Sequence, residues 1–333
     1  MIQLQIVRML GRAMGTLAWV PILGCATWAV GALYFDLPRL RGLGILGLTL
    51  AMAAGLILPR GGWKKLGCVM LCNGAVLTWW LTLQPSNERR WLPDVDRTAW
   101  AEITGDLVTL HNLRNFDYIT ETDYIPHWET RTVRLSQLTG IDLAINYWGS
   151  PWMAHPIVSF QFADAPPVCF SIETRKEIGE SYSAVGGLYR QFELIYIVAD
   201  ERDVIRVRTN FREGEDVYLY RTMAKPEEAR ERFLDYLTAL NRLHAHPRWY
   251  NAFTTNCTTS IRTQRATTKR APWDWRILLN GKGDELVFER GMVETGGLPF
   301  AELKQRVHIN VAAKAADSAP DFSLRIRKGL PGF

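Results

Sequence analysis

His155-Pro156-Ile157-Val158-Ser159-Phe160-Gln161-Phe162, followed after Ala163-Asp164-Ala165-Pro166-Pro167 by Val168-Cys169-Phe170-Ser171-Ile172-Glu173, reads as a β-hairpin. Both runs alternate, and the Asp and paired prolines between them break the strand. Val158, Phe160 and Phe162 then share one face with Val168, Phe170 and Ile172, while His155, Ile157, Ser159 and Gln161 share the other with Cys169, Ser171 and Glu173. A turn centred near Asp164 sets Glu173 across from His155. An imidazole beside a carboxylate is a base with an orienting partner. The blander alternatives are an ion pair of Glu173 with Arg175 or Lys176, and a His155 that merely caps its strand.

Around the hairpin the texture is similar, with short β-rich pieces at 115–119, 128–135, 141–147, 192–199, 204–209 and 217–220, most of them separated by Gly, Pro, Asp or Asn. This predicts a predominantly antiparallel sheet. A helix is predicted from Pro226 to His244, with Pro226 at its first position and Phe233, Tyr236, Leu237, Leu240 and Leu243 on one apolar stripe that packs on the sheet. Residues 101–113 read as a short helix. Beyond Ala271 periodicity is weak, and the Arg-, Lys-, Pro- and Gly-rich tail is expected to be loose.

The second stretch with chemical content is Trp249-Tyr250-Asn251-Ala252-Phe253-Thr254-Thr255-Asn256-Cys257-Thr258-Thr259-Ser260-Ile261. Asn256 is a helix cap, and Cys257 follows at the first helical position of a helix running to about Thr268. A thiolate there sits among unpaired backbone N–H groups, which favour the anion and can hold an oxyanion. The alternative is a small buried cysteine in a capped turn. Trp148 and Trp152, beside Gly149 and Pro151, line a cleft or fill space. His244 and His246 have a spacing that a metal could use, but they sit at a helix end before Pro247, so no metal or cofactor site is assigned.

Three apolar runs, about 14–34, 43–58 and 66–83, precede all of this, each without a charge. They are expected to form a three-helix transmembrane anchor over residues 1–84, the second run being short. Arg8 and Arg12 before the first run, with Arg60, Lys64 and Lys65 between the second and third, put the N-terminus in the cytoplasm and everything after Leu83 in the periplasm of a bacterial inner membrane protein. Nine of the 39 Lys and Arg but only two of the 34 Asp and Glu fall in residues 1–90, so the basicity belongs to that end and no nucleic-acid footprint remains. Of five cysteines, Cys25, Cys68 and Cys72 lie in the runs, leaving Cys169 and Cys257 and no disulfide framework.

The runs Asn115-Phe116-Asp117-Tyr118, Tyr147-Trp148-Gly149-Ser150-Pro151, His155, Ser171-Ile172-Glu173-Thr174-Arg175, Phe192-Glu193-Leu194-Ile195-Tyr196, Asp200-Glu201-Arg202-Asp203 and Tyr250-Asn251 through Asn256-Cys257-Thr258-Thr259 resemble the Lnb N-terminal periplasmic domain family over about 111–265. Its namesake is a lipoprotein N-acyltransferase that uses a cysteine and a histidine, and these roles fall on Cys257 and His155. Glu173 stands where a third, orienting residue belongs. The order His, polar residue, Cys is also similar to permuted papain-like folds, in which an acyl chain passes through a thioester. The namesake carries a membrane region after this domain, whereas here the apolar runs precede it.

The resulting expectation is an α+β protein: the anchor, a linker over 85–110, a permuted papain-like catalytic domain over 111–270 and an extension over 271–333. Cys257 is the expected nucleophile, His155 its base and Glu173 the orienting group, with Asn256 and Tyr250 supporting the oxyanion and Trp148, Trp152 and Arg175 along the cleft. The expected activity is cysteine-dependent acyl transfer or acyl hydrolysis on a membrane lipid or lipoprotein. A peptidase or amidase on cell-wall peptide and a non-catalytic membrane-tethered binding module are the alternatives.

Overall fold

The computed structural model describes residues 2–265, 268 and 270–333; the side chains of residues 2–18, including Arg8, Arg12 and the start of the first apolar run, lie outside the described set. The chain divides into two compact units, Met1–Pro85 with Tyr182–Phe192, and Ser86–Ser181 with Glu193–Phe333.

The first unit holds three helices, α1 (Ile2–Asp36), α2 (Arg41–Ile57) and α3 (Gly62–Thr82). Among the described residues no helix is long and apolar enough to cross a membrane, which overturns the predicted three-helix transmembrane anchor. The reason lies in the helices themselves. α2 has only 17 residues, α3 takes in Lys64, Lys65 and Asn73, and α1 contains Pro21 and closes on Asp36. Small residues set the packing here: a Cβ on Gly55 would lie 2.7 Å from Cys68 Cβ. Asp36 accepts from Trp80 Nε1 at 2.6 Å, and Arg190 covers the Trp80 ring while donating to the carbonyls of Trp80 and Leu83.

The second unit is built on a twisted sheet of β1 (Trp100–Thr104), β2 (Leu107–Arg114), β5 (Trp128–Arg134), β6 (Leu138–Trp148), β7 (Ala154–Phe162), β8 (Val168–Arg175), β9 (Glu193–Ala199) and β10 (Glu215–Arg221), with β3 (Asp117–Tyr118) and β4 (Tyr124–Ile125) as a separate small ladder. The order is β1-β2-β9-β8-β7-β6-β10, with β5 also on β2. All pairs are antiparallel except the single β2–β9 contact, Arg114 with Ala199. The β7–β8 ladder pairs Ile157 with Ser171 and Ser159 with Cys169, a register whose continuation sets His155 opposite Glu173 as predicted.

Each face of the sheet is covered. On one, the helix α5 (Pro226–Ala245) buries Phe233, Tyr236, Leu237, Leu240 and Leu243, with Phe233 4.9 Å from the Phe160 ring and Tyr236 5.1 Å from that of Phe170. On the other, Ile157, Cys169, Ile195, Ile197 and Leu219 pack against Ile309, Ala313, Phe322 and Ile326. The tail is therefore core rather than loose. Its helices α8 (Phe300–Arg306), α9 (Asn310–Ala315) and α10 (Phe322–Arg325) follow α7 (Gly283–Glu289), and burying Phe322 or Ile326 contributes about 1.5–3 kcal/mol each. Arg327 extends this lock, its guanidinium reaching Asp142 at 2.8 Å and Glu201 at 2.5 Å.

Two predicted elements change type. Residues 101–113 are the β1–β2 hairpin, turned at Gly105 with φ +60, because Val108 and Leu110 alternate with Thr109 and His111. Residues 204–209 are not a strand: α4 (Glu201–Val204), capped by Asp200, runs on into a π-helical turn at Val207–Phe211. The linker at 85–100 is also anchored, with Trp91 and Val95 buried in the same core.

Candidate active site

Cys257 opens α6 (Cys257–Thr263). Asn256 Oδ1 accepts the Thr259 N–H at 2.8 Å, and Thr259 Oγ1 accepts the Asn256 N–H at 2.9 Å, a reciprocal cap in which Thr replaces the usual Glu or Gln. Asn256 Nδ2 holds the Ala252 carbonyl at 2.7 Å. Asn256 is thus occupied in building the turn. Asn280 Nδ2 donates to Cys257 Sγ at 3.4 Å, and the backbone N–H groups of Thr258 and Cys257 at the start of the helix also favour the anion. Burial works against these donors and wins: the thiol is 6% exposed and its pKa is pushed up to about 11.

His155 belongs to a separate chain of polar groups. Its Nε2 lies 2.6 Å from Ser171 Oγ, Ser171 donates to Glu173 Oε1 at 2.6 Å, and Arg208 Nη2 donates to the same oxygen at 2.7 Å. The carboxylate can only accept, so the single hydroxyl proton of Ser171 points at Glu173 and Oγ accepts from His155 Nε2–H. The lone pair of the imidazole is then on Nδ1, which has no hydrogen bond among the described residues. Burial lowers the His155 pKa to about 4, against the pull of Glu173, so the ring is neutral and able to take a proton. Burial works to raise Glu173, but the Arg208 guanidinium holds it well below the usual carboxylate range.

The two groups do not touch: among the described residues no hydrogen bond joins Cys257 to His155. They are linked instead by Asn280, whose Oδ1 accepts the N–H of Ala154, the neighbour of His155, at 2.9 Å while its Nδ2 holds the sulfur. α6 packs against both β7 and β8. Trp152 is close to this link, since its carbonyl accepts from Gly281 N–H at 3.0 Å. Trp148 ends β6 opposite Glu215, and Tyr250 is buried upstream of the cap. Arg175 is no cleft residue. It is 2% exposed, stacked on Trp91 and bonded to Asn87 and the carbonyls of Val95 and Asp96, where it anchors the 85–100 segment. His244 is tied to Thr98 Oγ1, and among the described residues no group of three or more His, Cys, Asp and Glu is placed to hold a metal ion.

Two residues central to this geometry escaped the sequence. Arg208 is hidden in a β-branched run that reads as a strand. Asn280 lies in Leu279-Asn280-Gly281-Lys282, whose Asn-Gly turn signal marks a loop but no partner.

Comparison with curated proteins and with solved structures finds no match. A family model does match, over residues 124–281, a span that holds His155, Ser171, Glu173, Arg208, Cys257 and Asn280. That model is the Lnb N-terminal periplasmic domain, to which residues 124–281 are similar.

Proposed function

We propose that this domain is a cysteine-dependent acyltransferase or acyl hydrolase working on a lipid or lipoprotein through a thioester on Cys257. The observation that carries the proposal is a thiol surrounded by hydrogen-bond donors, next to the strand that begins with a neutral, oriented histidine. Sγ attacks the acyl carbonyl carbon while its proton passes to His155 Nδ1. The tetrahedral intermediate then expels the alcohol, which takes that proton and leaves the acyl chain on sulfur. In the second step an amine or water, deprotonated by the same nitrogen, attacks the thioester and the thiol is regenerated. In the resting state Nδ1 and Sγ are not bonded, so substrate binding has to bring them together, a tightening common to sites whose hydrogen bonds are long when empty.

The substrate class is supported by the rim. Trp152, Met153, Phe253, Trp273, Trp275 and Leu279 are all exposed, on the segments that lead into His155, Cys257 and Asn280. Exposed apolar side chains on these segments favour an acyl chain over a polar peptide. The test is incubation of the purified protein with labelled phospholipid. A hydroxylamine-labile adduct on the Cys257 peptide is expected; its absence, together with cleavage of cell-wall peptide, would transfer the proposal to a peptidase.

A further inference from the structure

Asn280 is held more firmly than a surface loop amide needs to be. Its side-chain oxygen accepts the Ala154 N–H, which settles the orientation of the amide, since the nitrogen could not accept there. The nitrogen is left facing Cys257 Sγ. The next residue fixes the backbone: Gly281 N–H donates to Trp152 O at 3.0 Å, Tyr147 hydroxyl donates to Gly281 O at 3.1 Å, and a Cβ on Gly281 would lie 2.3 Å from the carbonyl carbon of Trp152. No side chain fits there without moving the loop. A third tie comes from the cysteine's own helix, where the Thr258 hydroxyl donates to Ile277 O at 2.6 Å and so joins α6 to the segment that leads into Asn280.

We propose that Asn280 is a catalytic residue of this site, the side-chain donor that receives negative charge first on Cys257 Sγ and then on the oxyanion of the acyl intermediate. This rests on Cys257 being the nucleophile. The amide nitrogen carries two protons, and one is directed at sulfur in the resting state. The other is available to the carbonyl oxygen when the thiolate attacks the carbon beside it. Charge on that oxygen forms as the S–C bond forms and disappears when the C–O bond to the departing alcohol breaks, so a donor fixed beforehand stabilises the transition state more than the ground state. Burial raises the thiol pKa and the Asn280 amide is the largest of the groups opposing it, which fits a donor placed to favour the anion.

The test uses the full chain and two variants. Asn280→Asp keeps the oxygen that Ala154 N–H binds and removes only the donor; Asn280→Ala removes both. The rate at which iodoacetamide modifies Cys257 is followed against pH by the mass of its peptide, which separates it from the other four cysteines. Both variants are expected to move the midpoint of the profile up by about one unit, so that modification below the midpoint slows about tenfold, with Asn280→Asp shifted further because a carboxylate repels the thiolate. Thioester formation from labelled phospholipid should fall about a hundred- to a thousandfold. An unchanged alkylation profile in a folded Asn280→Asp protein would overturn the assignment. The alkylation arm needs no acyl substrate, so a wild-type protein that forms no adduct counts against the lipid chemistry and leaves the role of Asn280 to be decided by the profile.

Discussion

Ser171 stands between His155 and Glu173: the imidazole Nε2 and carboxylate Oε1 are 3.8 Å apart, and each is 2.6 Å from the serine hydroxyl. Orientation of the histidine is therefore indirect, with the carboxylate fixing the hydroxyl and the hydroxyl fixing the ring. Ser171→Ala should lower thioester formation about ten- to a hundredfold by freeing the ring to take the other tautomer, and cost about 1–3 kcal/mol because the His155 Nε2–H is left without its acceptor. Glu173→Gln should show a similar fall in activity and also cost about 1–3 kcal/mol in urea unfolding, because Arg208 is left without its carboxylate. If Ser171→Ala keeps full activity, the hydroxyl has no orienting role.

Cys257→Ala and His155→Ala should each reduce acyl transfer by at least about a thousandfold while far-UV circular dichroism stays unchanged, and the double variant should be no worse than either alone. Additive losses would mean that the two side chains act in separate steps.

The buried imidazole also makes stability depend on pH. His155 has an ordinary pKa of 6.5 and a folded one of about 4. Above about 6.5 it is neutral whether folded or unfolded and adds no pH dependence. As the pH falls from there to about 4 the unfolded chain takes up a proton that the folded chain refuses, so stability declines across this window. Urea midpoints measured from pH 8 to pH 4 should fall less steeply in a His155→Gln protein than in the wild type.

Arg327→Ala should be among the most damaging substitutions outside the site. It leaves buried Glu201 without its ion-pair partner and Asp142 with Arg221 alone, and an expected loss of about 3–5 kcal/mol would show in the urea midpoint. Arg325→Ala, whose exposed partner is Asp321, should change stability by less than about 1 kcal/mol.

The hairpin was readable because its two faces differ in chemistry: phenylalanines against α5 on one side, serines, His155 and Glu173 on the other, and a one-residue slip would have exchanged them. The cap before Cys257 and the stripe of α5 were readable for the same reason, a local pattern with a single geometric solution. The segment around Arg208 was not. Val204, Ile205, Val207 and Thr209 have the side chains of a strand, and only Asp200, bonded to Arg202 N–H, marks the helical start that outweighs them. Nor could Asn280 be matched to Cys257, since a contact across 23 residues of loop and short helix leaves no periodic trace. The apolar runs at the front misled in the opposite sense. Their composition suggested spans, but Lys64, Lys65 and Asn73 belong to the same helix as the apolar residues that follow them.

The position of Arg327 also constrains when the molecule can become complete. Asp142 lies on β6, and one of its guanidinium partners, Arg327, comes 185 residues later. Until residues 309–327 emerge, one side of the sheet lacks much of its cover, Glu201 lacks its Arg327 partner and Asp142 keeps only Arg221. A nascent chain stalled or cut before residue 309 would hold every residue of the candidate site and still leave Ile157, Cys169 and Ile197 without the packing of Ile309, Ala313, Phe322 and Ile326, more open to proteases and to other chains. Residues 309–327 thus act as a late seal on the site-bearing sheet.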